Sequence, residues 1–341
     1  MKSLAIWIAL FLVTMCVAAS AQSQTQAQPD ALGTIQASST TCEGHLSGGT
    51  CFALDITCPS LPDYTAYVKI FEPTVPVVGT VLFTTGGDGT DLLEKLYFGP
   101  LAMQKVLKAG YRSVELTYGF PFNLNEKGWQ TNANGAGIRA AICRFATVLQ
   151  WVHDNYLDAD TPLCAAGNSA GAQQIGESLA HYGAGDILAF AELSSGPPFG
   201  RIDYACENNQ AAITSPCSGK TIGLGVLPGT SMKFIDPAYP GAWCSSAYNT
   251  HSTQHQAQFL NDSITSPDGV VNYPNTFINF VFGSQDTTSA IRQGLLYQSA
   301  ITSQNSTTCL AGVGHVVEDT VPGAQQVAND IIQHCKLPPK K

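Results

Sequence analysis

The chain has 341 residues, 44 % of them hydrophobic, enough to bury one large core. Only 12 % are charged and the net charge is −9, so Gly, Ser, Thr, Asn and Gln carry much of the surface. A protein that grips nucleic-acid phosphates needs clustered Lys and Arg, and this acidic balance excludes that class.

Met1-Lys2-Ser3 is followed by an apolar run from Leu4 to Ala18 and then Ala19-Ser20-Ala21-Gln22. A basic start, an apolar stretch and a small-x-small end predict a signal peptide over 1–21, cut after Ala21, and hence a secreted or periplasmic protein. No later stretch approaches the length of a membrane-spanning helix, so no membrane span is expected. Of eleven cysteines, Cys16 leaves with the leader and ten remain. An even number in an exported chain predicts disulfides. Cys206 with Cys217 and Cys309 with Cys335 are plausible local pairs, but spacing alone does not give connectivity.

The segment 22–39 is polar and Gln-rich and reads as a disordered leader. A single domain is expected over 40–341. Its first β-rich runs are Ala66 to Phe71 and Val78 to Thr84, the second ending at the turn Gly86-Gly87-Asp88-Gly89. Leu92 to Ala109 has helical spacing and stops at Gly110. A strand over Arg112 to Tyr118, a long loop over 120–137 and an amphipathic helix over Ile138 to Leu157 follow. Leu163 to Ala166 is a short buried strand, Ala170 to Tyr182 a helix, and Ile187 to Leu193 another strand.

The pattern then breaks down over about 196–275, which is rich in Pro, Gly, Ser and Cys and reads as an insertion over the sheet's edge. Regularity returns with a strand at Phe277 to Phe282, a helix from about Ser289 to Ala300, a strand at Thr307 to Ala311 and a helix at Pro322 to His334. This alternation predicts an α/β fold, a mostly parallel sheet with helices on both faces.

The informative motif is Gly167-Asn168-Ser169-Ala170-Gly171, a G-x-S-x-G pentapeptide. It follows a predicted buried strand and opens a predicted helix. That setting puts a serine on a sharp turn, with glycines letting strand and helix pass closely. The helix N-terminus behind Ser169 favours developing negative charge. A serine hydroxyl needs a base, and seven histidines are available. His45 lies near the mature N-terminus. His153, His181 and His334 fall on helices, the first two expected at the surface. His251 and His255 sit in the insertion without an H-E-x-x-H signature, so no metal is expected. His315, in Gly312-Val313-Gly314-His315, follows a strand, where catalytic groups of open α/β sheets gather.

The base in turn needs an acid to hold its tautomer. Asp286, directly after the strand ending at Phe282, is the first candidate; Glu318, Asp319 and Asp236 are rivals. Donors for an oxyanion are expected from the backbone N–H of Ala170 and from the Thr85-Gly86-Gly87-Asp88 turn, Gly87 first and Asp88 next. No phosphate-loop signature occurs, and no cofactor is expected.

Over about 60–335 these residues resemble the α/β-hydrolase family, whose triad runs in the chain order Ser, Asp, His, as Ser169, Asp286 and His315 do. Thr85 stands where some esterases of that family carry the first residue of H-G-G-G. The resemblance implies that Ser169 attacks an acyl carbon, His315 relays the proton and Asp286 orients His315. It implies a serine hydrolase acting on a small-molecule or polymer-linked carboxylic ester, with a serine peptidase and a catalytically silent binding module as alternatives. Phe120, Phe122, Trp129, Tyr239 and Trp243 are candidates for lining an acyl or aryl pocket, or for plain packing.

Overall fold

In the computed structural model, residues 28–119, 121–123, 128–131, 133–207, 211–223 and 232–337 are described. The signal peptide expected over 1–21 lies outside them, as does Phe120.

Nine strands form one sheet in the order β1-β2-β3-β5-β4-β6-β7-β10-β11. They are β1 (Thr34–Thr40), β2 (Thr50–Thr57), β3 (Tyr64–Phe71), β4 (Gly79–Thr84), β5 (Tyr111–Thr117), β6 (Leu163–Asn168), β7 (Leu188–Ser194), β10 (Phe277–Gly283) and β11 (Asn305–Leu310). The first three are antiparallel to their neighbours, and β5-β4-β6-β7-β10-β11 run parallel. Every residue of β4, β6 and β7 is buried, as expected of parallel strands covered on both faces.

The long helices are α1 (Gly99–Lys108), α2 (Ile138–Tyr156), α3 (Ala170–His181), α8 (Ser289–Ala300) and α9 (Val321–His334). Two apolar clusters lie on opposite faces of the sheet. Leu82 of β4 joins Ile142 and Leu149 of α2, Ile175 of α3 and Ile291 of α8. Its neighbours Val81 and Phe83 point the other way, to Met103 and Val106 of α1 and Val327 and Ile331 of α9.

Several expectations need correction. The strand β1, all but its last residue, falls in the segment 22–39 expected to be a disordered leader, and it pairs in register with β2 from Thr34–Thr57 to Thr40–Cys51. The expected helix from Leu92 to Ala109 is divided. A 3₁₀ turn at Leu93–Lys95 precedes α1, which starts at Gly99-Pro100 because proline suits a helix's first turn. The insertion is not irregular throughout. It holds α4 (Ile202–Cys206), the hairpin β8 (Ala212–Thr214) and β9 (Thr221–Gly223), α5 (Met232–Ile235), α6 (Trp243–Thr250) and α7 (Gln256–Asn261).

All ten cysteines among the described residues are paired, but neither local pairing occurs. Cys206 bonds Cys244, Cys217 bonds Cys309, and Cys335 bonds Cys164, while Cys42–Cys51 and Cys58–Cys143 complete the set. Cys164–Cys335 fastens the end of α9 to central strand β6. Cys217–Cys309 ties the insertion to the edge strand β11. None of the described helices is long and apolar enough to cross a membrane.

Candidate active site

Ser169 is the single residue between β6 and α3. Its backbone has φ 53° and ψ −115°, a conformation that is strained for a side chain with a Cβ. The turn closes because glycines surround it. A Cβ on Gly171 would lie 2.6 Å from the Thr84 carbonyl oxygen, and one on Gly167 would lie 2.6 Å from the Gly171 carbonyl carbon. The Ser169 N–H donates to the Ser194 carbonyl at 2.8 Å, which fixes the elbow to β7.

Two strand-end loops bring the other groups over. A Cβ at Gly283 would lie 2.2 Å from the Val313 carbonyl oxygen, so this glycine lets the 312–315 loop lie across the end of β10. The loops are knitted by Ser284 N–H to Leu310 O, Gln285 N–H to Val313 O, and Gly312 N–H to the Ser284 hydroxyl. His315 Nε2 then stands 2.9 Å from Ser169 Oγ, and His315 Nδ1 stands 2.8 Å from Asp286 Oδ2. An ionised carboxylate only accepts, so in the neutral imidazole the proton sits on Nδ1 and Nε2 is free to accept from the serine hydroxyl. Burial alone would raise the Asp286 pKa. The hydrogen bond and charge of His315, with the Thr288 N–H, outweigh it and hold the carboxyl below its ordinary value.

Three further residues support this chain in roles that the sequence does not show. Thr288 occupies the N-cap position of α8, yet its hydroxyl makes no capping bond and lies 3.1 Å from His315 Nδ1. Its N–H donates to Asp286 Oδ1 at 2.8 Å. Asn168, buried beside Ser169, donates from its side-chain amide to the His315 carbonyl at 3.0 Å. Trp129 was expected as a pocket aromatic but is fully buried under the glycine turn. Its indole N–H donates to the Gly87 carbonyl at 3.3 Å and its backbone N–H to the Asp88 carbonyl at 3.1 Å. The three roles carry no local sequence signal, since each depends on an approach between distant segments.

The turn held by Trp129 adjoins Ser169, for a Cβ on Gly86 would lie 3.1 Å from Ser169 Cβ. Gly87 has φ +64°, and its open side faces the ring of Phe234 at 3.5 Å. Ala170 opens α3, so its N–H has no acceptor within the helix. Orphan amides at a helix start and at a glycine turn are the donors that a developing oxyanion needs.

The remaining candidates lie elsewhere. Asp236 accepts from the N–H groups of Cys244 and Ser245 in the insertion, and Asp319 accepts from Tyr97 N–H. Glu318 is buried, and its Oε2 has no hydrogen-bond partner. Burial pushes its pKa to about 7, Asp319 adds to the rise, and His315 opposes it. His45 donates its backbone N–H to Glu94. His181, expected at the surface, is buried against Glu177 and the Ser263 carbonyl. His251 ends α6 and His255 precedes α7, so the two do not share a helix face, and His255 stacks on Trp243 at 3.8 Å. His334 stacks on Phe190 and lies tilted against Phe277. Of the other aromatics, Phe122 stacks on Tyr67, and Tyr239 is buried against Trp243. Among the described residues no group of three or more His, Cys, Asp or Glu side chains is placed to hold a metal ion.

No family model matches the chain, and no curated protein matches it. Solved structures do. The chain superposes on an acylaminoacyl peptidase from Pyrococcus horikoshii with TM-score 0.51 at 8 % identity, covering 91 % of this chain and 43 % of that one. It superposes on a cold-adapted esterase from an Arctic intertidal metagenomic library with TM-score 0.50 at 12 % identity, covering 88 % of this chain and all of that one. The shared architecture defines the class: this chain has the α/β-hydrolase fold. It carries five disulfides and a mainly helical insertion between β7 and β10.

Proposed function

We propose that the protein is a serine hydrolase that cleaves carboxylic esters through an acyl-enzyme, with Ser169 as nucleophile, His315 as base and acid, and Asp286 as orienting carboxylate. The observation that carries this reading is the unbroken hydrogen-bonded chain from Ser169 Oγ through the His315 ring to Asp286. In the first step Ser169 Oγ bonds to the acyl carbon while His315 Nε2 takes its proton. Asp286 stabilises the imidazolium that forms. The carbonyl electrons move onto oxygen, and the oxyanion is met by the Ala170 N–H and by Gly87 or Asp88 N–H. The carbon–oxygen bond to the alcohol then breaks, and Nε2 returns its proton to the leaving oxygen. A water, deprotonated by His315, attacks the acyl-enzyme, releases the acid and restores Ser169.

Export is part of the same proposal. Pairing of all ten cysteines beyond the leader supports an oxidising compartment. The expected substrate is a small-molecule or polymer-linked ester. The test is turnover of p-nitrophenyl acetate and butyrate beside chromogenic peptide amides. Ester turnover that disappears in Ser169→Ala supports the reading. Amide cleavage at comparable kcat/KM redirects it to a peptidase, and a folded protein that turns over neither contradicts it.

A further inference from the structure

Helices α8 and α9 are both preceded by a threonine, and the two threonines use their hydroxyls differently. Thr320 caps α9, its Oγ1 accepting the Gly323 N–H at 3.1 Å. That is the ordinary use of a threonine at this position, since it satisfies one of the amides that a helix start leaves open. Thr288 precedes α8, also with an extended backbone, φ −74° and ψ 163°, yet its hydroxyl makes no capping bond. Its Oγ1 lies instead 3.1 Å from His315 Nδ1. Helix α8 thus goes without a contribution that a threonine there commonly makes. A local rule set aside in this way, at a residue touching the imidazole, points to a role in the site.

The bonds around Asp286 define that role. In the neutral imidazole Nδ1 carries one proton, and two oxygens stand within its reach: Asp286 Oδ2 at 2.8 Å and Thr288 Oγ1 at 3.1 Å. A hydroxyl oxygen accepts on one side while its own proton points to another. The Thr288 proton turns to the Asp286 carboxylate and, with His315 and the Thr288 N–H, helps hold it ionised. The Thr288 N–H donates to Asp286 Oδ1 at 2.8 Å. With Oδ1 engaged there, the carboxylate cannot turn without losing that bond, and Oδ2 is the oxygen left to face the ring. One residue thus fixes the plane of the carboxylate with its main chain and offers the imidazole a second acceptor with its side chain.

We infer that Thr288 is a positioning residue for the reaction, its hydroxyl sharing the His315 Nδ1–H with Asp286 and so fixing the ring's rotation and tautomer. A ring held on two sides keeps Nε2 aimed at Ser169 Oγ, which it meets at 2.9 Å. The inference rests on the ester-hydrolase reading above and adds a fourth group to its hydrogen-bonded chain.

The test uses Thr288→Val, which keeps the branched shape and the N–H but removes the hydroxyl, and Thr288→Ser, which keeps the hydroxyl. In Thr288→Val kcat for p-nitrophenyl butyrate should fall roughly five- to tenfold with KM unchanged, the range for one lost hydrogen bond. Thr288→Ser should restore most of it. The two changes at the site should also be non-additive. In Asp286→Asn the amide oxygen must face the Thr288 N–H, which turns the NH₂ group toward Nδ1. The hydroxyl then has no Nδ1–H to accept, so adding Thr288→Val should cost less than about twofold. An unchanged kcat in Thr288→Val, a loss carried by KM, an equal loss in Thr288→Ser, or the full loss in the Asp286→Asn background overturns the inference. The ring-nitrogen NMR shifts of His315, assigned by their absence in His315→Ala, separate this failure from that of the enzymatic reading. They should move in Thr288→Val and not in Thr288→Ser. A protein that turns over no ester but shows this movement keeps the positioning role and loses the hydrolase. Ester turnover with kcat and the ring shifts both unmoved in Thr288→Val does the reverse.

Discussion

The side-chain amide of Asn168 donates to the main-chain carbonyl of His315 across 3.0 Å, joining the Ser169 elbow directly to the loop that carries His315. The bond is made by the residue immediately before Ser169, so any shift of the elbow is passed to the His315 loop. Asn168→Ala leaves a carbonyl without its donor and frees the loop. The expected result is a fall in kcat of roughly tenfold with little change in KM, because alignment rather than substrate binding is lost. Steady-state kinetics on p-nitrophenyl butyrate checks this, and an unchanged kcat would show that the bond does not position His315.

Asp286→Asn should be far more damaging. An amide in place of the carboxylate can offer a donor to Nδ1 and stabilise the wrong tautomer, and it withdraws the charge that balances the imidazolium. A loss in kcat of about 10⁴-fold is expected. The low pKa of Asp286 also has a sign for stability. A carboxyl depressed in the folded state contributes stability above its unfolded pKa, and that contribution is lost as pH falls through the folded value. Asp286→Asn should therefore flatten the acid limb of the stability curve, measured by denaturant unfolding below pH 5.

Glu318 titrates the other way. Burial raises it from 4.5 to about 7, so the folded state holds its proton more tightly than the unfolded chain does. Stability from this group is full below the unfolded value and is lost progressively as pH rises from there through about 7. Glu318→Gln should leave stability at pH 5 nearly unchanged and raise it at pH 8 by up to about 3 kcal/mol. Urea midpoints at the two pH values measure this. Equal shifts at both would show that Glu318 is not protonated in the fold.

The bond Cys217–Cys309 joins the insertion to the strand that runs into the His315 loop, and Cys309 is exposed. It closes a span of 92 residues, whereas both cysteines of Cys58–Cys143, Cys164–Cys335 and Cys206–Cys244 are buried. Mild reductant followed by alkylation and peptide mapping should label Cys217 and Cys309 ahead of those six. The double replacement by serine should destabilise the fold by about 2–5 kcal/mol and reduce kcat severalfold. Earlier labelling of Cys164 and Cys335 would contradict the argument.

Much of this architecture is legible in the amino-acid order, and the misses have physical causes. Central strands β4, β6, β7 and β10 announce themselves as apolar runs because both faces are covered. Helix α8 falls at Ser289–Ala300, as its periodicity predicts. Strand β1, by contrast, has mostly exposed residues and a polar sequence, so nothing in its pattern distinguishes it from a loose leader until β2 is beside it. The disulfides were misassigned because proximity in the chain is a poor guide once a sheet brings residues 164 and 335 together. The G-x-S-x-G setting and the chain order of Ser169, Asp286 and His315 were readable. The supporting positions of Asn168, Thr288 and Trp129 were not, since each is defined by contacts between segments far apart in sequence. The buried state of His181 was missed for the same reason, because its partner carbonyl at Ser263 belongs to the insertion.

The central claim is that Ser169 is the activated nucleophile, and covalent labelling reaches it most directly. The folded protein is incubated with a fluorophosphonate probe, and the modified peptide is mapped by mass spectrometry in the unmodified chain and in His315→Ala. The account predicts one equivalent of label on Ser169, formed at least about a hundredfold more slowly without His315. A folded protein that stays unlabelled, or label formed at Ser169 equally fast in His315→Ala, would contradict it.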